Sequence, residues 1–64
     1  MKVTHHNPAS LIDLCSDYGY KVPSHIEPTC PTDTAKAQYL EQYFYEDESL
    51  LEDAEGSGFI STDL

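Results

Sequence analysis

The chain contains no arginine, and beyond Lys36 it contains no lysine. Lys2, Lys21 and Lys36 stand against twelve aspartates and glutamates, giving a formal net charge of -9 over 64 residues. Without arginine the chain lacks the side chain whose rigid fork of donors grips phosphates and base edges. The negative balance repels polyanions as well, so neither direct nucleic-acid binding nor attachment to an anionic membrane is expected. No stretch approaches the ~18 apolar residues that a membrane span requires. Residues Met1 to His6 hold one lysine and no apolar run of the kind a secretory signal needs. The expectation is therefore a cytoplasmic protein whose Cys15 and Cys30 are free thiols. A Cys15–Cys30 disulfide, which would staple a thin core, is the open alternative.

Compact metal patterns are missing too. His5, His6, Cys15, His25 and Cys30 are scattered through the first half, whereas a zinc site wants paired cysteines two to four residues apart or histidines three to five apart. Cys15 is better explained by the apolar face of a helix, and His5-His6 reads as an exposed polar pair. No spacing joins a nucleophile to a base, and a chain this short has little scope for a pocket that shields a reacting group from water. The chain is expected to be no enzyme, with no cofactor and no metal.

What is present suffices for one small domain over residues 1–64. Such a chain buries only about 60% of its unfolded surface, so its core is thin. Hydrophobic residues at 39%, with five tyrosines, exceed what a disordered acidic tail carries. An extended arm over 1–6 precedes Asn7-Pro8, a favoured N-cap followed by a proline with no amide hydrogen to leave unpaired. Leu11, Ile12, Leu14, Cys15 and Tyr18 then trace one helical face, which Gly19 closes. Pro23, Pro28 and Pro31 exclude a long helix or a central strand from Tyr20 to Thr34, although Tyr20-Lys21-Val22 suits a short edge strand.

Thr32 and Asp33 are both good N-caps for a second helix, expected from about Thr34 to Tyr45. Its seam runs through Leu40, Tyr43 and Phe44 toward Leu51 and Ala54. Asp47 falls on that seam, which predicts a break or bend over Tyr45 to Asp47. Ser49 with Glu52 reads as a capping box for a third short helix reaching about Ala54. Gly56-Ser57-Gly58 stops it, leaving 56–64 as a flexible or strand-like tail. The expected fold is mainly α, a small domain of two to three helices with short strands at Val3, Tyr20–Val22 and Phe59–Ile60 available for an accessory β-hairpin or small sheet. Its expected state is a monomer or small homo-oligomer.

Eight carboxylates lie between Ala37 and Leu64, seven of them between Glu41 and Glu55. A field of one sign costs self-repulsion and steers the opposite sign toward it, so the expected partner is a basic protein surface. On one continuous helix Glu41, Glu48, Glu52 and Glu55 would share a narrow sector, the last three about 6 and 4.5 Å apart along the axis at 1.5 Å per residue. Such a row resembles a line of phosphates, which on one DNA strand step ~3.4 Å along the axis. Glu41, Glu46, Asp47, Glu48, Glu52, Asp53 and Glu55 are the candidate charges of such a surface, with Tyr43, Tyr45, Leu50 and Leu51 as candidate apolar anchors. The plainer reading is a solvated acidic face.

Within this segment Glu48-Ser49-Leu50 resembles the Glu-Ser-Ile element of the phage uracil-DNA glycosylase inhibitors of the Ugi type. The resemblance covers three residues. It implies a DNA-mimic inhibitor of a basic, DNA-binding host enzyme, with Glu48 and Ser49 approaching the phosphate-gripping loops and Leu50 supporting them. It also implies an apolar pocket, which would have to come from Tyr43, Phe44, Leu51 or their neighbours. Ugi-type inhibitors are larger and built on a sheet, and restriction, CRISPR or recombination enzymes fit the acidic face equally well as targets. The alternative from another class is a non-enzymatic adaptor docking an aromatic helix on a partner protein. Two short motifs remain: Ser61-Thr62-Asp63-Leu64 has the form of a C-terminal peptide captured by strand addition, and Ser49-Leu50-Leu51-Glu52 fits an acid-directed kinase site.

Overall fold

Asn7 and Pro8 start the first helix as their chemistry dictates: Asn7 Oδ1 accepts a hydrogen bond from the Ser10 amide at 3.3 Å, and Pro8 takes the first helical position. The structure, a computed structural model, describes residues 2–63. In chain order these form strand β1 (Lys2–His5), helix α1 (Pro8–Asp17), a 3₁₀ turn (Glu27–Thr29), helix α2 (Asp33–Leu40), a 3₁₀ segment (Glu41–Tyr45), helix α3 (Glu48–Gly56) and strand β2 (Ile60–Asp63). The fold is mainly α with a small two-stranded sheet, in accord with the class read from the sequence.

Helices α1 and α3 end in the same way. Gly19 and Gly58 adopt φ of 88° and 77°, a left-handed conformation open to glycine without a Cβ penalty. Behind Gly19 the amides of Gly19 and Tyr20 return to the carbonyls of Ser16 and Cys15, and behind Gly58 the amides of Gly58 and Phe59 return to Glu55 and Ala54. Both are Schellman closures, which satisfy carbonyls that the helix leaves unpaired. They turn the chain sharply, so that Tyr20 and Phe59 fold back on the core.

Helix α2 is capped by Thr32, whose Oγ1 accepts from the Ala35 amide at 3.1 Å. The single helix expected from Thr34 to Tyr45 divides at Leu40, after which the chain tightens into the 3₁₀ segment. Tyr43, Phe44 and Tyr45 are poorer helix formers than the residues before them. In the tighter segment Tyr43 stacks on Tyr20, ring centroids 4.5 Å apart, while Phe44 enters the core. The expected break then falls at Asp47, which has extended backbone and caps α3 by accepting from the Leu50 amide at 3.2 Å. Asp47, rather than Ser49, is the N-cap. Its other carboxylate oxygen is held by the Tyr20 hydroxyl at 2.9 Å, an anchor that Ser49 lacks.

Tyr20–Val22 forms no strand. The sheet is made instead by the two ends of the chain, antiparallel with Lys2 opposite Asp63 and His5 opposite Ile60. Its inner positions alternate with exposed ones as period-2 side chains must: Val3, His5, Ile60 and Thr62 turn inward. Leu11, Cys15, Ala37, Leu40, Phe44, Leu50, Ala54 and Ile60 form one contiguous core drawn from all three helices, the 3₁₀ segment and β2. Cys15 and Cys30 are both buried and both free.

Candidate functional site: the acidic face of helix α3

Helix α3 has two unlike sides. Leu50 and Ala54 are fully buried and Leu51 half-buried, whereas Glu48, Ser49, Glu52, Asp53 and Glu55 are exposed. With 3.6 residues per turn, Glu48, Glu52 and Glu55 fall within roughly 60° of arc and rise about 6 and 4.5 Å apart. The exposed side is thus a short ladder of carboxylates on a helix fixed to the core by its opposite side.

Four of the seven candidate carboxylates are engaged within the fold. Glu41 Oε1 meets His5 Nε2. Asp47 holds the cap and the Tyr20 hydroxyl. The Tyr18 hydroxyl donates to Asp53 Oδ2 and lies 3.4 Å from the Ser49 carbonyl. Thr62 Oγ1 donates to Glu55 Oε1 at 3.1 Å. Glu46, Glu48 and Glu52 are exposed and accept no hydrogen bond among the described residues. No lysine of the described residues pairs with any carboxylate; the single ion-pair contact among them is His5–Glu41. The negative charge therefore stays uncompensated by the protein itself.

Several candidate residues stand elsewhere than the sequence suggested. Glu41 leaves the row, because the 3₁₀ segment and the break at Asp47 separate it from α3; it is half-buried against His5. Leu50 is 0% exposed and packs in the core, so it offers nothing to a partner in the folded chain. Tyr43 is half-buried in its stack with Tyr20 and its edge contact with Tyr39, centroids 6.4 Å apart. Leu51 packs against the core from its margin. Of the four apolar anchors Tyr45 alone is open, at 64% exposure, next to Glu46. His5 is no exposed polar residue: its side chain is only 9% exposed. His6 remains exposed, its Nε2 2.7 Å from Ser61 Oγ.

Among the grooves of the described surface, two stand out. One, of about 250 Å³, runs between α1 and α2 over Ile12, Tyr20, Val22 and Leu40, with Lys21 and Lys36 at its edge. The other, of about 360 Å³, lies over Asp13, Leu14, Asp17 and Phe59. Neither is built from Tyr43, Phe44 and Leu51, and Phe44 is 2% exposed. No three His, Cys, Asp or Glu side chains among the described residues gather as a metal site.

The supports of α3 carry a titration signature. The hydrogen bond to Asp53, partial burial and the charges of Asp53 and Asp47 together push the Tyr18 phenol up to about 12. Tyr20 is also pushed up, first by its hydrogen bond to Asp47 and then by burial and the neighbouring carboxylates. Burial pushes the Cys15 thiol up to about 11, which leaves it protonated and unreactive at neutral pH. Sequence reasoning missed Tyr18, Tyr20 and His5 as supports because their partners lie 27 to 36 positions away. A lone local hint existed: two tyrosines flank the closing Gly19.

Comparison with protein-family models, with curated proteins and with solved structures found no match to this chain.

Proposed function

We propose that this protein is a DNA mimic: a stoichiometric inhibitor that lays the exposed side of α3 into the nucleic-acid-binding cleft of a basic enzyme. The observation that carries the reading is the division of the carboxylates, in which Glu46, Glu48 and Glu52 stay free and uncompensated while their neighbours brace the helix. A ladder held by a buried opposite side loses little side-chain freedom of the scaffold on binding, which favours affinity. Tyr45, exposed and next to Glu46 in sequence, supplies an aromatic contact of the kind enriched at interface anchors. Uracil-DNA glycosylase is the sharpest target, on the exposed Glu48-Ser49 pair; restriction, CRISPR and recombination enzymes share the required basic cleft. The adaptor reading has less to stand on, since Tyr43 and Phe44 are committed inside the fold and Tyr39 is half-buried.

The test is inhibition and capture. The tagged chain is mixed with uracil-DNA glycosylase and, separately, with a bacterial lysate, and bound enzyme is challenged with rising salt and with duplex DNA. Mimicry predicts release by both and a large loss of binding in E48Q/E52Q. A captured partner that resists salt and ignores DNA would overturn it.

A further inference from the structure

Ser49 occupies the second position of α3, one residue after Glu48 and two after the Asp47 cap. It is exposed, and its hydroxyl takes part in no hydrogen bond among the described residues. Carboxylates flank it on both sides in sequence: Glu46, Asp47 and Glu48 before it, Glu52, Asp53 and Glu55 after it. The other hydroxyls of the acidic half differ. Ser61 is bonded to His6 and Thr62 to Glu55, and Ser57 is followed by Gly58 and Phe59 with no carboxylate until Asp63.

From this setting we infer that Ser49 is a phosphoacceptor for an acid-directed protein kinase, one whose basic substrate cleft reads the carboxylates around the hydroxyl. In the transfer Ser49 Oγ attacks the γ-phosphorus of a nucleoside triphosphate, the bond from that phosphorus to the β-phosphate oxygen breaks, and the nucleoside diphosphate leaves. The serine proton passes to the kinase's carboxylate base. The product suits the fold. A phosphoserine carries about -1.5 to -2 charges at pH 7, and in the first turn of a helix it faces the positive end of the helix dipole. Opposing that gain is repulsion from Glu48, Glu52 and Asp53, which the exposed position leaves to solvent and salt to screen. The modification would place a true phosphate beside the carboxylate ladder. That consequence for binding rests on the proposed mimicry; the phosphorylation itself does not.

The experiment incubates the full chain with a purified acid-directed serine/threonine kinase and magnesium ATP, and follows intact mass and fragment masses. One added phosphate mapped to Ser49, absent in S49A, restored on the hydroxyl in S49T and slowed in E52Q/D53N, supports the site. No incorporation, or incorporation that persists in S49A, overturns it. The phosphorylated and unmodified chains are then compared for retention on an anion-exchange matrix, a control that needs no basic cleft, and for binding to the enzyme captured above. Phosphate on Ser49 with unchanged binding supports the modification site while counting against mimicry.

Discussion

Asp47 does three jobs at one position: it breaks the preceding helical run, caps α3 through the Leu50 amide and takes the Tyr20 hydroxyl. Asn retains the capping chemistry and Ala does not. D47A is therefore expected to lose about 1–2 kcal/mol, cap and tyrosine bond combined. A thermal melt followed by circular dichroism should show D47A lowered by several degrees, with D47N between it and the parent. Tyr18 offers a second test at this scale. Its pKa in the fold, about 12, lies above its ordinary value of 10.0, so folding favours the protonated phenol. The stabilisation is thus complete below pH 10 and is lost as pH climbs from 10 toward 12. Urea midpoints measured across that range should fall for the parent and fall less for Y18F; equal slopes would show that Tyr18 does not brace α3.

At the scale of the element, α3 should not stand alone. It has nine residues, fewer than the ~12–15 that an isolated helix needs to be even marginal in water. Glu48 and Glu52 repel at i, i+4, which costs a few tenths of a kcal/mol, and Asp53 and Glu55 oppose the dipole near its last turn. What holds it is burial of Leu50 and Ala54. L50A should cost about 2–5 kcal/mol, a large part of the ~5–15 kcal/mol available to a typical domain, and its melt should become broad or vanish. E48Q/E52Q should melt at or slightly above the parent temperature while losing partner binding. If E48Q/E52Q instead destabilised the fold, the free carboxylates would be structural and the division proposed above would be wrong. The elements also differ in how legible they were. The N-cap Asn7 and the glycine closures of α1 and α3 are local signals and were readable, while the cap of α2 was narrowed to Thr32 or Asp33, of which the structure uses Thr32. The shift to 3₁₀ winding after Leu40 was not readable, because the apolar seam continues through Tyr43 and Phe44 with a helical period, and the stack of Tyr43 on Tyr20 exists only in the assembled core.

For the whole molecule, size sets the reach of its charge. The principal extents are 30 × 20 × 19 Å, against a Debye length of about 30 Å at 0.01 M salt and about 10 Å at 0.1 M. At the lower ionic strength each carboxylate senses nearly all the others. Adding salt over that range should therefore raise the melting temperature by screening self-repulsion, while binding to a basic partner weakens. The two responses have opposite signs on one axis, measurable by a melt series and a titration in the same buffers. A melting temperature that does not rise would mean that the negative field costs the fold little.

What the sequence by itself determined is whatever depends on neighbours along the chain: the start and closure of α1, the start of α2 at Thr32 or Asp33, the break near Asp47, the glycine closure that follows α3 and the uncompensated charge after Lys36. These follow from capping chemistry, glycine conformation and composition, all local. Tertiary structure alone decided which carboxylates are free. Glu41 against His5, Asp47 under Tyr20, Asp53 under Tyr18 and Glu55 beside Thr62 are engaged because packing of the core, and pairing of the two chain ends across some 55 residues, bring donors to them. The same packing buried Leu50 and left Tyr45 open. Side-chain partners so distant in sequence leave no periodic or capping signal, since the free energy that joins them comes from the shared core rather than from the residues alongside.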